Sequence, residues 1–200
     1  MKNFIQKRWP WLAGIGGVLI AAVLVLYFFC LAGDTPVLVV ETPQKLSASK
    51  SSDFTLDVTV SDLGNARYPA MSMSIAFDSS RLEFLGVEEG NTFILSEENR
   101  TGQQLPDWSC NVQNSNDTGL INIMYLDMTG GKNAFVKKLL ADEYNVVLRL
   151  KFRLRGSVRP GDVLDLIVED AVFAASDETQ SLAMTRDTLK VKNGRLVIGE

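Results

Sequence analysis

Few residues in this 200-residue sequence are of a type that could carry out chemistry. It has no histidine, which excludes Ser-His and Cys-His catalytic pairs, histidine-ligated zinc and histidine general bases. Cys30 and Cys110 lie far apart, so we expect neither a disulfide between them nor a metal site. A carboxylate pair remains as an acid–base device, but nothing distinguishes one pair among 24 acidic residues. We therefore expect no catalytic residue, no cofactor and no enzymatic activity.

Oxygen-bearing side chains cluster between Asn114 and Asp117. Carboxylate and amide oxygens are the ligands that calcium takes. Their spacing does not match the twelve-residue calcium loop, so a polar hairpin turn is favoured. The sequence predicts no metal site.

Charge divides the chain into two unlike parts. Lys2, Lys7 and Arg8 precede an uncharged run from Trp9 to Gly33, in which 20 of 25 residues are apolar. From Asp34 onward there are 17 basic and 24 acidic residues, a net charge of −7. Nucleic-acid binding depends on basic clusters that displace counterions from phosphates, so nucleic acid is not an expected partner.

The uncharged run has the length of a membrane span. As a helix it would extend about 37 Å, more than the roughly 30 Å of bilayer hydrocarbon. A cleaved signal peptide is the alternative, but such peptides have shorter apolar cores, and the exit at Leu31–Gly33 is a weak cleavage site. Basic residues before the run place the N-terminus in the cytoplasm. We predict a cytoplasmic segment (1–8), a transmembrane signal anchor in contact with lipid (9–33) and an extracellular domain (34–200).

The outer domain has the pattern of antiparallel strands. Residues 53–60 and 145–155 alternate apolar and polar side chains, as strands with one wet face do. Weaker strand patterns fill the chain between turn-forming residues, and a short helix is predicted where Phe135, Val136, Leu139 and Leu140 share one face. About nine short strands without βαβ alternation indicate an all-β, two-sheet antiparallel sandwich.

The order of these segments resembles the cohesin domain family, whose jelly-roll modules capture dockerin domains and are related to carbohydrate-binding modules. The similarity runs from Val37 to the end of the chain. Its most specific part is the alternating stretch from Met71 to Asp78, followed by the strand Leu82-Glu83-Phe84. Further segments in the same order are Gly119–Asp127, Val146–Leu154, Glu169–Ala174 and Val191–Gly194.

The resemblance implies a dockerin-binding face on the strand from Ala70 to Phe77 and its sheet neighbours. Alternation in that strand places Met71, Met73, Ile75 and Phe77 inward and leaves a small, flat outward row. Family members usually present asparagine and aspartate near the positions of Ala70 and Ser72. The predicted partner-binding residues are Ala70, Ser72, Ser74, Ala76, Asn122 and Met124.

Two other functions stay open at this stage. A module that binds polysaccharide directly would need exposed aromatic rings, for which the outer domain offers Tyr68, Trp108, Tyr125 and Tyr144. A structural adhesin or envelope-assembly subunit is the other alternative. The favoured prediction is a single-pass, membrane-anchored cohesin-like module. It would capture dockerin-bearing proteins, such as polysaccharide-degrading enzymes, at the cell surface.

A row of cations on the strand from 145 to 155 is the most conspicuous charged feature. Arg149, Lys151, Arg153 and Arg155 share one face of that strand. We expect them to pair across the sheet with acids, the candidates being Asp53, Asp57, Asp165 and Glu169.

Overall fold

Strands form where apolar and polar side chains alternate. In this computed structural model Leu56 and Val58 are buried and Thr55 is exposed, as the alternation predicts. The structure describes residues 35–43, 46–47, 53–61, 63–64, 66–91, 108–131, 133–136, 145–156, 158–184 and 188–199. This described part holds fourteen strands: β1 (Val37–Val40), β2 (Leu46–Ser47), β3 (Phe54–Val60), β4 (Arg67–Tyr68), β5 (Ala70–Ala76), β6 (Leu82–Glu89), β7 (Trp108–Cys110), β8 (Leu120–Leu126), β9 (Phe135–Val136), β10 (Val146–Leu154), β11 (Val163–Ala174), β12 (Leu182–Ala183), β13 (Lys190–Lys192) and β14 (Gly194–Gly199). One α-helix, α1 (Val112–Thr118), and a 3-10 turn, Glu178–Gln180, complete the described elements.

The strands pair into two large sheets and one small one. The first sheet has the order β13-β1-β3-β10-β6, and the second has the order β2-β14-β11-β5-β8-β7 with β12 added beside β11. The small sheet pairs β4 with β9. Both large sheets contribute to one apolar core, in which Leu56 and Phe152 belong to the first sheet and Ile75 and Phe173 to the second. The predicted all-β sandwich is confirmed by this arrangement.

The number and pairing of the strands differ from the predicted nine antiparallel strands. Four of the fourteen described strands are only two residues long, too short to give a sequence pattern. The predicted strands 163–168 and 171–174 are one strand, β11, because a bulge between Val168 and Asp170 lets its pairing with β5 continue. Two of the described pairs, β1 with β13 and β2 with β14, are parallel.

Two short segments adopt other structures than predicted. Phe135–Val136 is strand β9 rather than the start of a helix, and the side chain of Phe135 packs edge-on against Tyr125 and Phe173 in the core. The rest of the predicted helix, residues 137–140, lies outside the described residues. The polar segment 114–117 belongs to α1 instead of a hairpin turn.

Helix α1 begins and ends at residues suited to those positions. The Asn111 side chain caps its start by accepting a hydrogen bond from the backbone N–H of Asn114 at 2.9 Å. Gly119 ends it in the left-handed conformation, with φ of 72°, which glycine adopts without strain.

The Asn116 side chain on α1 braces strand β6. Its Oδ1 accepts a hydrogen bond from the backbone N–H of Phe84 at 2.9 Å, and its Nδ2 donates to the Phe84 carbonyl at 2.8 Å. β6 lies at the end of the first sheet, so the asparagine side chain supplies the two bonds that a further strand would supply.

Replacing Asn116 with alanine is expected to lower the free energy of unfolding by about 1–3 kcal/mol, because both Phe84 backbone groups lose their partners. Asn114→Ala is the matched control, since the Asn114 side chain is exposed on the same helix and should change stability by less than about 0.5 kcal/mol. Chemical denaturation measures both. Equal effects of the two substitutions would contradict the bracing role.

Asp162 links the turn before β11, in the second sheet, to the residue before β6, in the first sheet. Its carboxylate accepts a hydrogen bond from the backbone N–H of Arg159 at 2.8 Å and forms an ion pair with Arg81. Arg81 directly precedes β6, whereas Asp162 directly precedes β11. The hydrogen bond from Arg159 and the guanidinium of Arg81 lower the pKa of Asp162 below its ordinary value.

This lowered pKa predicts a pH-dependent contribution to stability. A carboxyl group with a depressed pKa in the folded state stabilises the fold above its unfolded pKa of about 3.9, and the contribution is lost as the pH falls through the folded value. We expect Asp162→Asn to lower the melting temperature at pH 7, with the difference from the parent chain shrinking as the solution is acidified. Thermal melts across that range test it, and a difference that stays constant with pH would refute it.

The chain changes sheets at Asn193 without a hairpin. β13 belongs to the first sheet and β14 to the second, and the Asn193 Oδ1 accepts a hydrogen bond from the backbone N–H of Val168 at 3.0 Å. A Cβ at Gly194 would lie 2.8 Å from Cγ1 of Val40, so this close approach requires glycine. The sequence Asn193-Gly194 suggests either a tight turn or a kink inside the last strand. The chain makes no tight hairpin turn there, and the last strand is divided into β13 and β14 in different sheets.

The membrane span predicted for residues 9–33 lies outside the described residues. Among the helices that the structure describes, none has the length and apolar character needed to cross a bilayer. The predicted boundaries at residues 8, 33 and 34 stay predictions.

Candidate partner-binding face

The six residues predicted to bind a partner lie together on the outer face of the second sheet. Ala70, Ser72, Ser74 and Ala76 are on β5, and Asn122 and Met124 are on β8. Ser72 is in register with Met124, and Ser74 is in register with Asn122. Because residues directly opposite each other on paired strands share a face of the sheet, these side chains lie on the same side. The alternate residues of β5 are buried, as predicted; Met73, for example, is 2% exposed.

This row of small side chains is flanked on both neighbouring strands by side chains that, apart from Ala174, are larger. We call the feature the β5 trough: its floor is Ala70, Ser72, Ser74 and Ala76, one wall is Leu120, Asn122, Met124 and Leu126 of β8, and the other wall is Ile167, Asp170, Val172 and Ala174 of β11. Neighbouring strands are about 4.8 Å apart, so the two walls are separated by roughly 10 Å.

The large apolar side chains that are exposed in the described residues are concentrated here. Met124 is 59% exposed and Leu126 55%, both on one wall, while Ile167 is 47% exposed on the other. Met128 follows β8 in the next loop, and Val163 lies further along β11. A cluster of exposed apolar side chains on one face is typical of an interaction surface.

Sequence reasoning missed Leu126, Ile167 and Asp170 as parts of this face. The alternation in β8 could have found Leu126, because it continues the series of Asn122 and Met124. The sequence of β11 gives no comparable signal. The bulge after Val168 interrupts its alternation, so the pattern alone does not show that residues 163–168 and 170–174 form one strand.

The outer face of the first sheet has the opposite character. Arg149 pairs with Asp57 at 3.0 Å, Lys151 with Glu88 at 3.5 Å and Asp53 at 3.8 Å, and Arg153 with Asp53 at 2.7 Å and Glu83 at 3.8 Å. The Nε of Arg155 donates to the Leu82 carbonyl at 3.3 Å. The expectation of cross-sheet pairing is confirmed for Asp53 and Asp57. It is wrong for Asp165 and Glu169, which lie on β11 in the other sheet, where Asp165 is 3.9 Å from Arg195.

Polar groups occupy the middle of the trough. The Ser74 Oγ donates to the Asn122 Oδ1 at 2.8 Å, and Asp170 stands opposite Ser74 on the other side. An open depression of about 320 Å³ lies over β7, β8 and β5, and its lining includes Ser72, Ser109 and Asn122. Cys110 also lines it, and burial raises the pKa of its thiol. Such a thiol is uncharged near neutral pH and is a poor nucleophile.

Three of the four aromatic side chains considered for sugar binding lie in the core or pack against it. Tyr68 and Tyr125 are 2% and 1% exposed, and their hydroxyls donate to the carbonyls of Leu63 and Asn133, each at 2.7 Å. Trp108 is half-buried and packs against Tyr125, with ring centroids 5.1 Å apart. Tyr144 lies outside the described residues. In the described part, the large exposed apolar side chains are aliphatic, so no stacking platform for a sugar is formed there.

Except for Asn114, the polar side chains of α1 form hydrogen bonds within the protein. Asn116 holds β6, and Asp117 accepts hydrogen bonds from the Nε2 of Gln113 at 3.0 and 3.2 Å. Within the described ranges, no group of three or more cysteine, aspartate or glutamate side chains is arranged to hold a metal ion.

Comparison of the whole structure with solved structures finds cohesin domains. The chain matches the Coh-OlpC–Doc435 type I cohesin–dockerin complex of Clostridium thermocellum with a TM-score of 0.59, 13% identity, and coverage of 84% of this chain and 96% of that one. It matches the Coh-OlpA–Doc918 complex of the same organism with a TM-score of 0.58, 17% identity, and coverage of 82% and 99%. The third ScaB cohesin of R. flavefaciens, in complex with a group 1 dockerin, matches with a TM-score of 0.55, 14% identity, and coverage of 85% and 99%.

These similarities establish a cohesin-like fold for the chain. No protein-family model and no curated protein matches it. The resemblance inferred from the order of the strand motifs is therefore confirmed at the level of the fold.

Proposed function

We propose that this chain is a membrane-anchored cohesin-like module that captures a dockerin domain in the β5 trough. The contrast between the two outer faces of the sandwich carries the proposal. One face is covered by ion pairs such as Arg149–Asp57, whereas the other exposes apolar side chains such as Met124 around a floor of small residues. Interfaces have such apolar centres with few charges. Solved relatives of the fold are described in complexes with dockerins, which supports this class of partner.

The N-terminal segment gives the proposed module its place in the cell. Residues 9–33 would span the membrane, with Lys2, Lys7 and Arg8 holding the N-terminus in the cytoplasm. The sandwich would then face outward, and dockerin-bearing proteins such as polysaccharide-degrading enzymes would be held at the cell surface. In this role the chain binds and performs no chemistry.

A binding experiment with the full chain in detergent tests the proposed partner. The immobilised chain is exposed to secreted proteins of the source organism, and bound proteins are identified by mass spectrometry. We expect dockerin-bearing proteins to be retained. Met124→Glu should abolish their retention, because it places a charge among apolar contacts.

The matched control is Val163→Glu, which introduces the same charge on an exposed position of the same sheet outside the trough. It should leave retention unchanged. Retention of no dockerin-bearing protein, together with direct binding to insoluble glucan, would replace the proposal with a carbohydrate-binding function. Equal effects of the two variants would place the interface elsewhere.

The proposed topology has its own test. Membranes from cells that express the full chain should retain it after alkaline carbonate washing. Protease added to intact cells should digest the domain after residue 34 and leave a tag placed before Lys2 intact. Release by carbonate, or protection of the outer domain, would overturn the anchored arrangement.

A further inference from the structure

Three polar side-chain atoms are buried without a hydrogen-bond partner in the part of the chain that the structure describes. They are Nε1 of Trp108, Oδ2 of Asp127 and Oδ1 of Asn133. Asn133 as a whole is 3% exposed, and Trp108 and Asp127 are half-buried. Buried polar atoms in folded proteins almost always have a partner, so these three atoms indicate a site for a bound group.

All three residues lie around Tyr125 at one end of the core. Trp108 on β7 is directly opposite Tyr125, and their ring centroids are 5.1 Å apart. Asp127 follows β8, and its backbone N–H still donates to the Pro69 carbonyl at 2.7 Å, so its side chain continues the buried face of that strand. The Tyr125 hydroxyl donates to the Asn133 carbonyl at 2.7 Å, which brings Asn133 to the same ring. The unpartnered atoms therefore belong to one region of the domain.

Thr129 holds Asp127 and Asn133 close to each other. Its backbone N–H and its Oγ1 both donate to Oδ1 of Asp127, at 2.8 and 2.5 Å. The same Oγ1 accepts a hydrogen bond from the Asn133 backbone N–H at 3.2 Å. A single hydroxyl oxygen thus joins the two residues. These bonds use both lone pairs of Oδ1 of Asp127 and leave Oδ2, the buried oxygen, for another partner.

The carboxylate of Asp127 has no neutralising cation among the residues that the structure describes. Arg67, which contacts the same loop, donates from its Nη1 to the Gly131 carbonyl at 3.2 Å and forms no ion pair with Asp127. The Trp108 indole can supply a neutral donor but no charge. An ionised oxygen that is removed from water is strongly disfavoured unless it is paired and hydrogen-bonded. Oδ2 of Asp127 is therefore suited to a bound cation.

The donor atoms of this region select a hard cation. A carboxylate oxygen and an amide oxygen are ligands that calcium takes, together with backbone carbonyls and water. Gly130 and Gly131 have φ of 73° and 92°, which lets the loop turn back from Asp127 to Asn133 within a few residues. Calcium tolerates the irregular geometry of such a loop, whereas magnesium demands a nearly ideal octahedron.

We propose that the loop from Asp127 to Asn133 binds one calcium ion through Oδ2 of Asp127 and Oδ1 of Asn133, with loop carbonyls and water completing the coordination. The ion neutralises the buried carboxylate and fixes the loop against the core. Because the site has a single carboxylate, we expect a Kd of about 10⁻⁴–10⁻³ M, the range of calcium sites in extracellular modules. The inference is independent of what the β5 trough binds.

Metal titration of the full chain in detergent tests the site. After the chain is stripped with EGTA, about 10 mM calcium should raise its melting temperature by at least about 2 °C, and the same concentration of magnesium should raise it clearly less. Terbium takes the same oxygen ligands and emits when a nearby tryptophan is excited. This emission should saturate, and calcium should displace it. Trp108→Phe should lose the emission and keep the calcium-dependent shift.

Two variants of the proposed ligands separate metal binding from folding. Asp127→Asn keeps an oxygen that can accept from Thr129 but removes the charge, so both the calcium-dependent shift and the terbium emission should be lost. Asn133→Asp adds a second carboxylate, so the Kd for calcium should fall at least about 10-fold. The matched control is Asp117→Asn on α1, because that exposed carboxylate accepts from Gln113. It should respond to calcium as the parent chain does.

Three results would overturn the inference. They are a melting temperature of the parent chain that calcium does not change, an undiminished calcium response of Asp127→Asn, and an equal response of the parent chain to magnesium. Retention of dockerin-bearing proteins is measured separately, so the loss of the calcium site leaves the proposed function standing.

Discussion

Ser72→Tyr is expected to weaken binding of a dockerin-bearing protein by at least about 100-fold, or 2.7 kcal/mol, without unfolding the domain. Ser72 is exposed on the floor of the β5 trough, between Met124 and Val172 on its walls. A tyrosine ring there would fill the space above the floor of the trough and would hold the proposed partner away from the apolar walls. Titration calorimetry or biolayer interferometry with the full chain measures the loss of affinity.

The matched control for this substitution lies on the opposite face. Thr55 is exposed on β3 in the first sheet, opposite Lys151 on β10. Positions 55 and 72 both lie in strands, where tyrosine is favourable. Thr55→Tyr should bind as the parent chain does, and both variants should keep the parent melting temperature within a few degrees. If Thr55→Tyr were the variant that lost affinity, the ion-paired face would be the binding surface.

Phe152→Ala is expected to lower the free energy of unfolding by about 3–5 kcal/mol. Phe152 on β10 is completely buried, and its ring lies 5.5 Å from that of Phe84, 5.6 Å from Phe77 and 6.0 Å from Phe54, measured between centroids. Phe77 follows β5 in the second sheet, so removal of the ring leaves a cavity between the sheets. Denaturant unfolding of the parent and variant chains measures the difference.

Phe152→Leu separates the cavity from the loss of aromatic contacts. Leucine restores most of the volume, so this variant should lose clearly less stability than the alanine variant. Arg153→Ala, at the neighbouring exposed position, removes surface ion pairs and should cost no more than about 1 kcal/mol. A loss at Arg153 as large as that at Phe152 would contradict a core centred on the aromatic cluster.

Much of the fold follows from local pattern. The alternation in β3, β5, β8 and β10 predicts which side chains face the core, since each strand needs only one buried face. The same rule places Ser72 and Ser74 outward, and Asn122 and Met124 follow it on β8. Local pattern fails at Phe135, whose apolar neighbours suggest a helix, whereas the residue is buried in the core in a two-residue strand paired with β4.

The second wall of the trough depends on long-range pairing. Ile167 and Asp170 become neighbours of Ala76 and Ser74 because β11 pairs with β5 across a bulge. Long-range pairing also decides which outer face is covered by ion pairs. The cations of β10 meet carboxylates on neighbouring strands only because β3 and β6 flank β10; these carboxylates are Asp53, Asp57, Glu83 and Glu88.

The sequence by itself determined the all-β class, the inward and outward faces of its long strands, and the absence of histidine chemistry. These properties depend on residue type and on a two-residue period, both of which are local. The tertiary structure alone decided that β11 completes the trough, that Asn116 braces β6, and that the chain passes between sheets at Asn193. Each of these depends on which distant segments pack together, and that is governed by burial over the whole core rather than by any single stretch of sequence.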